Sequence, residues 1–296
     1  MATMKGHIPR MPSRSNSTPS AEADEKANDG LAISEEFVFA DFASRMKLSG
    51  AVIAEIGGSF PVSMLEEHGV ARWYSIDPNR EAETSESGIR QVLTARAEEI
   101  PLPDASVDAV FSCNAFQFIN VPEALGETHR VLKPGGLLYA HFGPIWSAAD
   151  GHQLEYVRHG DRDLAFWRDT LLPPWAHLSY TPAELRALLR SGLPEDLADL
   201  LVWHVHESDT INRMFFEDYV AAALDSGLRW GTVTASDYLD YEIVPPRFDP
   251  AILREVTRAD VSAAVSERRG RPTQIGPRDV LMILRKDSAP AVDLNA

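Results

Sequence analysis

A glycine pair and an acidic residue have the types and spacing that could bind a nucleotide-containing ligand. Gly57 and Gly58 follow the apolar run AVIAEI, and their missing side chains would let a ligand approach backbone N–H groups. Asp77 ends a second apolar run about 20 positions after Glu55, a distance at which a carboxylate can accept the hydroxyls of a ribose. Two glycines alone predict a tight turn without a ligand, but together with Asp77 they favour a cofactor loop.

The segments around these residues alternate between strand and helix patterns. AVIAEI, PVSMLEEHGV and RWYSID predict a strand, a helix and a strand. VDAVFSCNAF predicts a further strand, and Asn120 with Glu123 predicts a capping box that opens the helix in VPEALGETHRVLKPGG. The strand LLYAHF follows at once. Helices of this size between strands predict an α/β fold with a doubly wound, mostly parallel sheet covered on both faces.

The pattern changes before and after this core. Ser34 predicts an N-cap for a leading helix, and beyond Gly143 an insertion rich in Trp, His and Pro predicts a lid. The lid holds helices in TPAELRALLRSG, where Thr181 and Glu184 are capping residues, and in DTINRMFFEDYVAAALDSG. WGTVTASDYLDYEIV and RDVLMILRK predict two closing strands. The predicted organisation is a disordered tail at 1–30, a core at 31–145, a lid at 146–230, closing strands with a helical insertion at 231–286, and a flexible tail at 287–296.

Four ordered segments resemble the class I S-adenosylmethionine-dependent methyltransferases of small-molecule type. They are VIAEIGG, YSIDPN, ARAEEIPLPDASVDAVFSCNAFQFI and ETHRVLKPGGLLYAHF, which together cover roughly residues 50 to 143. The resemblance implies a Rossmann-like, seven-stranded methyltransferase fold with a helical lid. It also implies S-adenosyl-L-methionine as the cofactor.

The same resemblance implies which residues bind that cofactor. Glu55 would hold its amino-acid end through the loop, Gly57 and Gly58 would approach it closely, and Asp77 would bind its ribose. Residues around Ala97 and Glu98 would line the adenine pocket, and those from Asn114 to Phe116 would lie beside the methionyl group. The complete predicted set is Glu55, Gly57, Gly58, Ser59, Asp77, Pro78, Ala97, Glu98, Asn114 and Phe116.

The lid supplies the candidates for the acceptor side. Methyl transfer from a sulfonium mainly requires alignment of the nucleophile and exclusion of water, and a base is useful when the acceptor is a hydroxyl or a protonated amine. His152 is the first candidate base because its segment leaves the carboxyl end of the fifth predicted strand, and His177 is the second. His141 lies within that strand and is predicted to be core. The aromatic residues of the lid either pack it onto the sheet or line an apolar acceptor pocket.

Three functions stay open. The first is methyl transfer to O, N or C of a small molecule, for instance in specialised metabolism. A protein of this fold could instead bind S-adenosylmethionine and catalyse a non-methylating cyclisation or rearrangement, which the altered glycine loop allows. The third is an NAD(P)-dependent oxidoreductase, although residues 57–62 read GGSFPV and lack the G-x-G-x-x-G pattern.

Composition narrows the choice of partners. The formal net charge of −16 argues against nucleic acid and against anionic membranes, so a small-molecule acceptor is the expected partner and homo-oligomer formation stays open. Cys113 is the single cysteine and cannot form an internal disulfide. The sequence shows no signal-peptide pattern and no metal-ligand spacing. We therefore expect a cytoplasmic enzyme without a bound metal.

Overall fold

The computed structural model describes residues 31, 34–58, 60–155 and 157–288. A central sheet has the order β3-β4-β2-β1-β5-β6-β10-β9. Its strands are β1 (Val52–Ile56), β2 (Arg72–Ile76), β3 (Glu83–Thr84), β4 (Arg90–Leu93), β5 (Val107–Cys113), β6 (Leu132–Phe142), β9 (Arg229–Ser236) and β10 (Asp279–Arg285). The predicted tail at 1–30, most of the tail at 287–296, and Ser59 lie outside the described residues.

The sheet is mostly parallel, as predicted. β4, β2, β1, β5 and β6 pair in parallel, whereas β10 runs antiparallel to both β6 and β9. Seven strands form this arrangement, and the two-residue strand β3 adds an eighth at the edge beside β4. From β1 the chain first adds β2 and β4 on one side and then β5 and β6 on the other. The carboxyl ends of β1 and β5 therefore lie at the switch in strand order, which is where ligands bind in open α/β sheets.

Helices cover both faces of the sheet, which confirms the doubly wound fold. The helices that accompany the sheet are α1 (Glu35–Arg45), α2 (Val62–Glu67), α3 (Val121–Val131) and α7 (Phe216–Asp225). On one face, α1 and α2 bury an aromatic cluster that includes Phe39, Trp73 and Phe111. On the other face, α3 and α7 pack against the alternate residues of the same strands. Strands buried on both faces need the nearly continuous apolar runs seen in AVIAEI and VDAVFS.

Of the two predicted helix caps at Ser34 and Asn120, the structure confirms the first and not the second. The Ser34 hydroxyl accepts hydrogen bonds from the N–H groups of Glu36 and Phe37, which confirms the predicted cap of α1. Asn120 precedes α3, but its side chain makes no capping hydrogen bond, so the predicted capping box is wrong. Its backbone N–H donates to Glu98 Oε1 instead.

The lid has a hydrophobic core of its own. It contains β7 (Val157–His159), β8 (Arg162–Leu164), α4 (Ala176–Ser179), α5 (Pro182–Arg190) and α6 (Glu195–His206). The capping box of Thr181 and Glu184 is confirmed. The helix α8 (Arg258–Arg269), from the segment between β9 and β10, places Val261 and Val265 in the same core, so two separate stretches of chain build the lid. Within the described part of the chain, no helix is long and apolar enough to span a bilayer.

Candidate functional site

A cavity of about 970 Å³ lies at the carboxyl ends of β1, β2, β5 and β6. α1 and the loops after β6 and β9 also contribute residues to its wall. Of the residues expected to bind the cofactor, seven described ones line it: Gly57, Gly58, Asp77, Pro78, Ala97, Glu98 and Asn114. The structure therefore brings these seven predicted residues together at one edge of the sheet.

The loop after β1 depends on glycine at two consecutive positions. Gly57 and Gly58 have φ values of 68° and 94°, a region that residues with a Cβ rarely adopt. A Cβ on Gly57 would lie 2.7 Å from the Cβ of Ala115, and a Cβ on Gly58 would lie 2.7 Å from Glu55 Oε1. Both glycines thus allow a tight turn whose backbone faces the cavity directly.

Glu55 supports this loop from below. Its Oε2 accepts hydrogen bonds from Trp73 Nε1 at 2.6 Å and from the Ser75 hydroxyl at 2.8 Å. The carboxyl group is buried, and burial raises its pKa to about 7 although these hydrogen bonds oppose the shift. Glu55 is not among the described residues that line the cavity. Its position suits the predicted role through the loop, because the carboxylate lies beneath Gly58.

Asp77 leaves the end of β2 as a half-buried acceptor. Its Oδ1 accepts the Asn79 backbone N–H at 2.8 Å, and its Oδ2 lies 3.3 Å from Arg80 Nε. The Asn79 bond closes a local turn and fixes the orientation of the carboxylate. Asp77 and Pro78 both line the cavity, so the carboxylate stands where the hydroxyls of a bound ribose could reach it.

Glu98 is a further acceptor in the wall of the same cavity. Its Oε1 accepts the Asn120 N–H at 2.7 Å, and Arg96 lies 3.4 Å from the carboxylate. Burial opposes ionisation, but the Asn120 bond and Arg96 outweigh it, so the pKa of Glu98 is lowered. The buried side chain of Ala97 precedes it in the wall. A small apolar residue beside a carboxylate suits an aromatic base that carries an amino group.

The segment after β5 divides between the cavity and the core. Asn114 has φ 58° and is exposed, and its N–H donates to the carbonyl of His141 at 2.8 Å. Phe116 is fully buried and stacks on Phe142 with ring centroids 5.4 Å apart. It does not belong to the described cavity wall, so the structure does not support the proximity to the methionyl group that was expected of its side chain.

The two histidines that the sequence favoured as bases lie elsewhere. His152 and His177 are buried in the lid with ring centroids 5.8 Å apart, and neither is among the described residues that line the cavity. His177 Nε2 donates to the Trp146 carbonyl at 2.9 Å. Burial lowers the pKa of both rings, to about 4 for His177. These are the properties of structural histidines that stay neutral in a packed lid.

His141 is buried, as the sequence predicted, and it also lines the cavity. It stands opposite Cys113 near the end of β6 and is 2% exposed. Neither ring nitrogen has a hydrogen-bond partner among the described residues. Burial lowers its pKa to about 4, so the ring is neutral near pH 7. The signal that could have found it is its place one residue before the end of the strand, at the edge where Asn114 follows β5.

The lid end of the cavity is built from distant segments. Glu155 follows β6, Asp240 and Tyr241 follow β9, and Arg278 precedes β10. Arg278 pairs with Asp150 at 3.0 Å and with Asp279 at 2.7 Å. No local motif joins these residues in sequence. Arg278 alone had a signal, because a closing antiparallel strand begins at the edge where the parallel strands end.

Comparisons with known proteins agree with this geometry. Residues 55–140 match the family model described as "Methyltransferase domain". An uncharacterised methyltransferase of Mycobacterium tuberculosis is 44% identical over 66 residues, which are 22% of this chain and 25% of the relative. A malonyl-[acyl-carrier protein] O-methyltransferase of Dechloromonas aromatica is 37% identical over 92 residues, 31% of this chain and 30% of the relative. The chain thus matches between about a quarter and a third of the length of these relatives.

Among solved structures, an S-adenosylmethionine-dependent methyltransferase of Mesorhizobium loti is 17% identical with a TM-score of 0.44, over 87% of this chain and 100% of that one. Within the described residues, no cluster of three or more metal-ligating side chains occurs. The sequence match, the strand order and the loop after β1 lead to one family. Residues 55–140 match a methyltransferase domain, and this match together with the relatives supports the class I S-adenosylmethionine-dependent methyltransferase family.

Proposed function

We propose that this protein transfers the methyl group of S-adenosyl-L-methionine to a small molecule held in the cavity. One observation carries the proposal: a single cavity contains both the residues predicted to bind the cofactor and an end lined by the lid. The cofactor supplies an electrophilic methyl group when bound. The protein has to hold two molecules in line and keep water away from them, and a single cavity can hold both molecules side by side.

The residues at the sheet end fit the cofactor. The turn at Gly57 and Gly58 brings backbone close to the amino-acid end, and Asp77 accepts hydrogen bonds from the ribose. Ala97 and Glu98 bind the adenine, and Asn114 lies beside the sulfur end. Glu55 holds the loop in place through its position beneath Gly58. A dinucleotide loop would need a third glycine for close helix packing, and the chain has Val62 there.

The residues at the lid end bind the acceptor. Phe166, Trp167 and Tyr241 supply apolar surface, and His141 supplies a neutral imidazole with two unused nitrogens. A base at this end is His141 or Glu155, in place of His152 and His177, because a base must reach the proton that it removes. The acceptor named for the Dechloromonas relative is not transferred to this chain, since that match covers 31% of it.

The test is a methylation assay with a panel of small alcohols, amines and carbon acids. Incubation with S-adenosylmethionine should give S-adenosylhomocysteine and one product heavier by a single methyl group, both measured by mass spectrometry. Asp77→Asn should reduce formation of both compounds together. Binding of S-adenosylmethionine followed by an isomer of unchanged mass would contradict methyl transfer and support a cyclisation or rearrangement.

A further inference from the structure

Among the residues that the structure describes, the cavity wall has acidic side chains without a cationic partner, whereas its arginines are all paired. This imbalance bears on the charge of the acceptor in the function proposed above. The cationic side chains of the described wall are Arg80, Arg96 and Arg278. Each already lies within an ion pair: Arg80 with Asp77, Arg96 with Glu98, and Arg278 with both Asp150 and Asp279. The wall therefore offers no guanidinium that is free to bind an anion.

At the lid end, the wall also has acidic side chains that belong to none of these ion pairs. Glu155 and Asp240 line the cavity, and no described cation forms an ion pair with either of them. Burial raises the pKa of Glu155, and it is the single cause of that shift. The charge on Asp240 contributes to the raised pKa of Asp279, which places these two carboxyl groups in one electrostatic environment. The Arg278 guanidinium pairs with Asp150 and Asp279, so among the described residues it leaves Glu155 and Asp240 without a cationic partner.

A separate observation indicates a hydrogen-bonding ligand in the same cavity. His141 is only 2% exposed and lines the cavity. Both of its ring nitrogens are without a hydrogen-bond partner among the described residues. A buried polar group without a partner is destabilising, so a ligand that hydrogen-bonds to it would be favoured at this position. A neutral imidazole can accept a hydrogen bond from an N–H group.

From these observations we infer that the acceptor is a small amine that enters the cavity protonated and is methylated on nitrogen. Glu155 and Asp240 bind the ammonium group, and His141 accepts one of its N–H bonds. Phe166 and Trp167 supply apolar and aromatic surface for the rest of the molecule and for contact with the cation. The inference rests on the proposed function, because it names the substrate class of the same site.

The chemical step balances with the groups present. The ammonium first gives one proton to the Glu155 carboxylate, which leaves a lone pair on nitrogen. The amine nitrogen then forms a bond to the methyl carbon as the carbon–sulfur bond breaks, and that electron pair stays on sulfur. The products are a methylated ammonium ion, neutral S-adenosylhomocysteine and protonated Glu155, which returns its proton to solvent. A carboxyl whose burial favours the protonated form suits this transfer.

The experiment compares three probes of one shape and different charge. Phenethylamine, phenethyl alcohol and phenylacetate are titrated calorimetrically into the wild-type protein saturated with S-adenosylhomocysteine. We expect the amine to bind about tenfold more tightly than the alcohol or better, and the anion to bind most weakly. Equal binding of amine and alcohol, tighter binding of the anion, or no binding of the amine would overturn the inference.

A variant then assigns the preference to its residues. Glu155→Gln with Asp240→Asn should reduce the ratio of amine to alcohol affinity by about tenfold. Glu242→Gln, an exposed carboxylate near Asp240 that is outside the cavity wall, is the matched control and should keep the ratio. If the double variant does not fold, Glu155→Gln alone replaces it. A ratio that is unchanged in a folded variant would contradict the role of these carboxylates.

The first titration separates this inference from the proposed function. Absence of S-adenosylhomocysteine binding to the wild-type protein would contradict the proposed function. Binding of S-adenosylhomocysteine without any preference for the amine would overturn only the substrate class.

Discussion

The carboxylate of Glu55 lies directly beneath Gly58, so close that a Cβ on the glycine would stand 2.7 Å from Glu55 Oε1. The two residues therefore determine the loop conformation together. The buried Glu55 carboxyl supports the loop, and the absence of a side chain at Gly58 allows the turn. Trp73 and Ser75 hold the acid in place from the neighbouring strand β2. The cofactor loop thus depends on a residue that does not line the described cavity wall.

Gly58→Ala tests this contact. The variant should bind S-adenosylhomocysteine about tenfold more weakly or worse, because the new Cβ must displace Glu55 or move the loop. Calorimetric titration measures the affinity. Gly88→Ala is the matched control, since Gly88 also has a positive φ, 72°, but no atom lies within 4 Å of the added Cβ. Both variants should lose about 1 to 2 kcal/mol of stability from backbone strain. Equal affinity losses in the two variants would contradict the role of the contact.

Asp77→Asn tests the predicted ribose contact. Asparagine can still accept the Asn79 N–H and keep the local turn, but it lacks the second anionic oxygen. S-adenosylhomocysteine affinity should fall by about tenfold or more with little change in the melting temperature. Asp104→Asn, an exposed acid that also pairs with an arginine, should leave the affinity unchanged. An unaltered affinity in the Asp77 variant would remove this contact from the account.

Glu55→Gln tests the pKa of the buried acid. Burial raises the pKa of Glu55 from 4.5 to about 7. Between these values the native state binds the proton more strongly than the unfolded state, so the acid lowers stability as the pH rises from 4.5 to 7. The loss amounts to about 3 kcal/mol. Glutamine cannot titrate, so the free energy of unfolding of the wild type, measured against that of the variant, should decline over this range. A constant difference would show that Glu55 titrates normally.

His177→Gln tests the opposite pH dependence in the lid. Burial lowers the pKa of His177 from 6.5 to about 4, against the opposing effects of the Trp146 carbonyl and Asp150. The native state therefore binds fewer protons between these values, and stability falls as the pH falls from 6.5 to 4, by about 3 kcal/mol. Glutamine can keep the donor to Trp146 without titrating. Denaturant unfolding should show the wild type losing stability relative to the variant on acidification. Parallel curves would contradict a buried neutral ring.

The parts of the fold that sequence could predict follow from local periodicity and capping. The buried strands β1 and β5 are continuous apolar runs, and Thr181 with Glu184 marks α5 through a local hydrogen-bond pattern. The strand β4 was missed because RQVL has only four residues and begins with two polar ones. The helix α6 was missed because its apolar face packs against residues that are distant in sequence, in the lid core that includes Leu185 and Val261.

The site divides in the same way. The residues predicted to bind the cofactor lie within one continuous segment, so their spacing alone could group Gly57, Gly58 and Asp77 at one edge of the sheet. The lid end joins Glu155, Asp240 and Arg278, which are brought together by tertiary packing that no local pattern records. His152 was favoured because its segment leaves β6 toward the cavity, but the chain then turns into the lid core. There its carbonyl accepts a hydrogen bond from His204 at 2.8 Å.

The identity of the cofactor is tested most directly by calorimetric titration of the wild-type protein with S-adenosylhomocysteine and, separately, with NAD. We expect saturable binding of one S-adenosylhomocysteine per chain and no measurable binding of NAD, because the loop, Asp77 and Glu98 suit the first ligand and the third dinucleotide glycine is missing. Binding of NAD without binding of S-adenosylhomocysteine would contradict it.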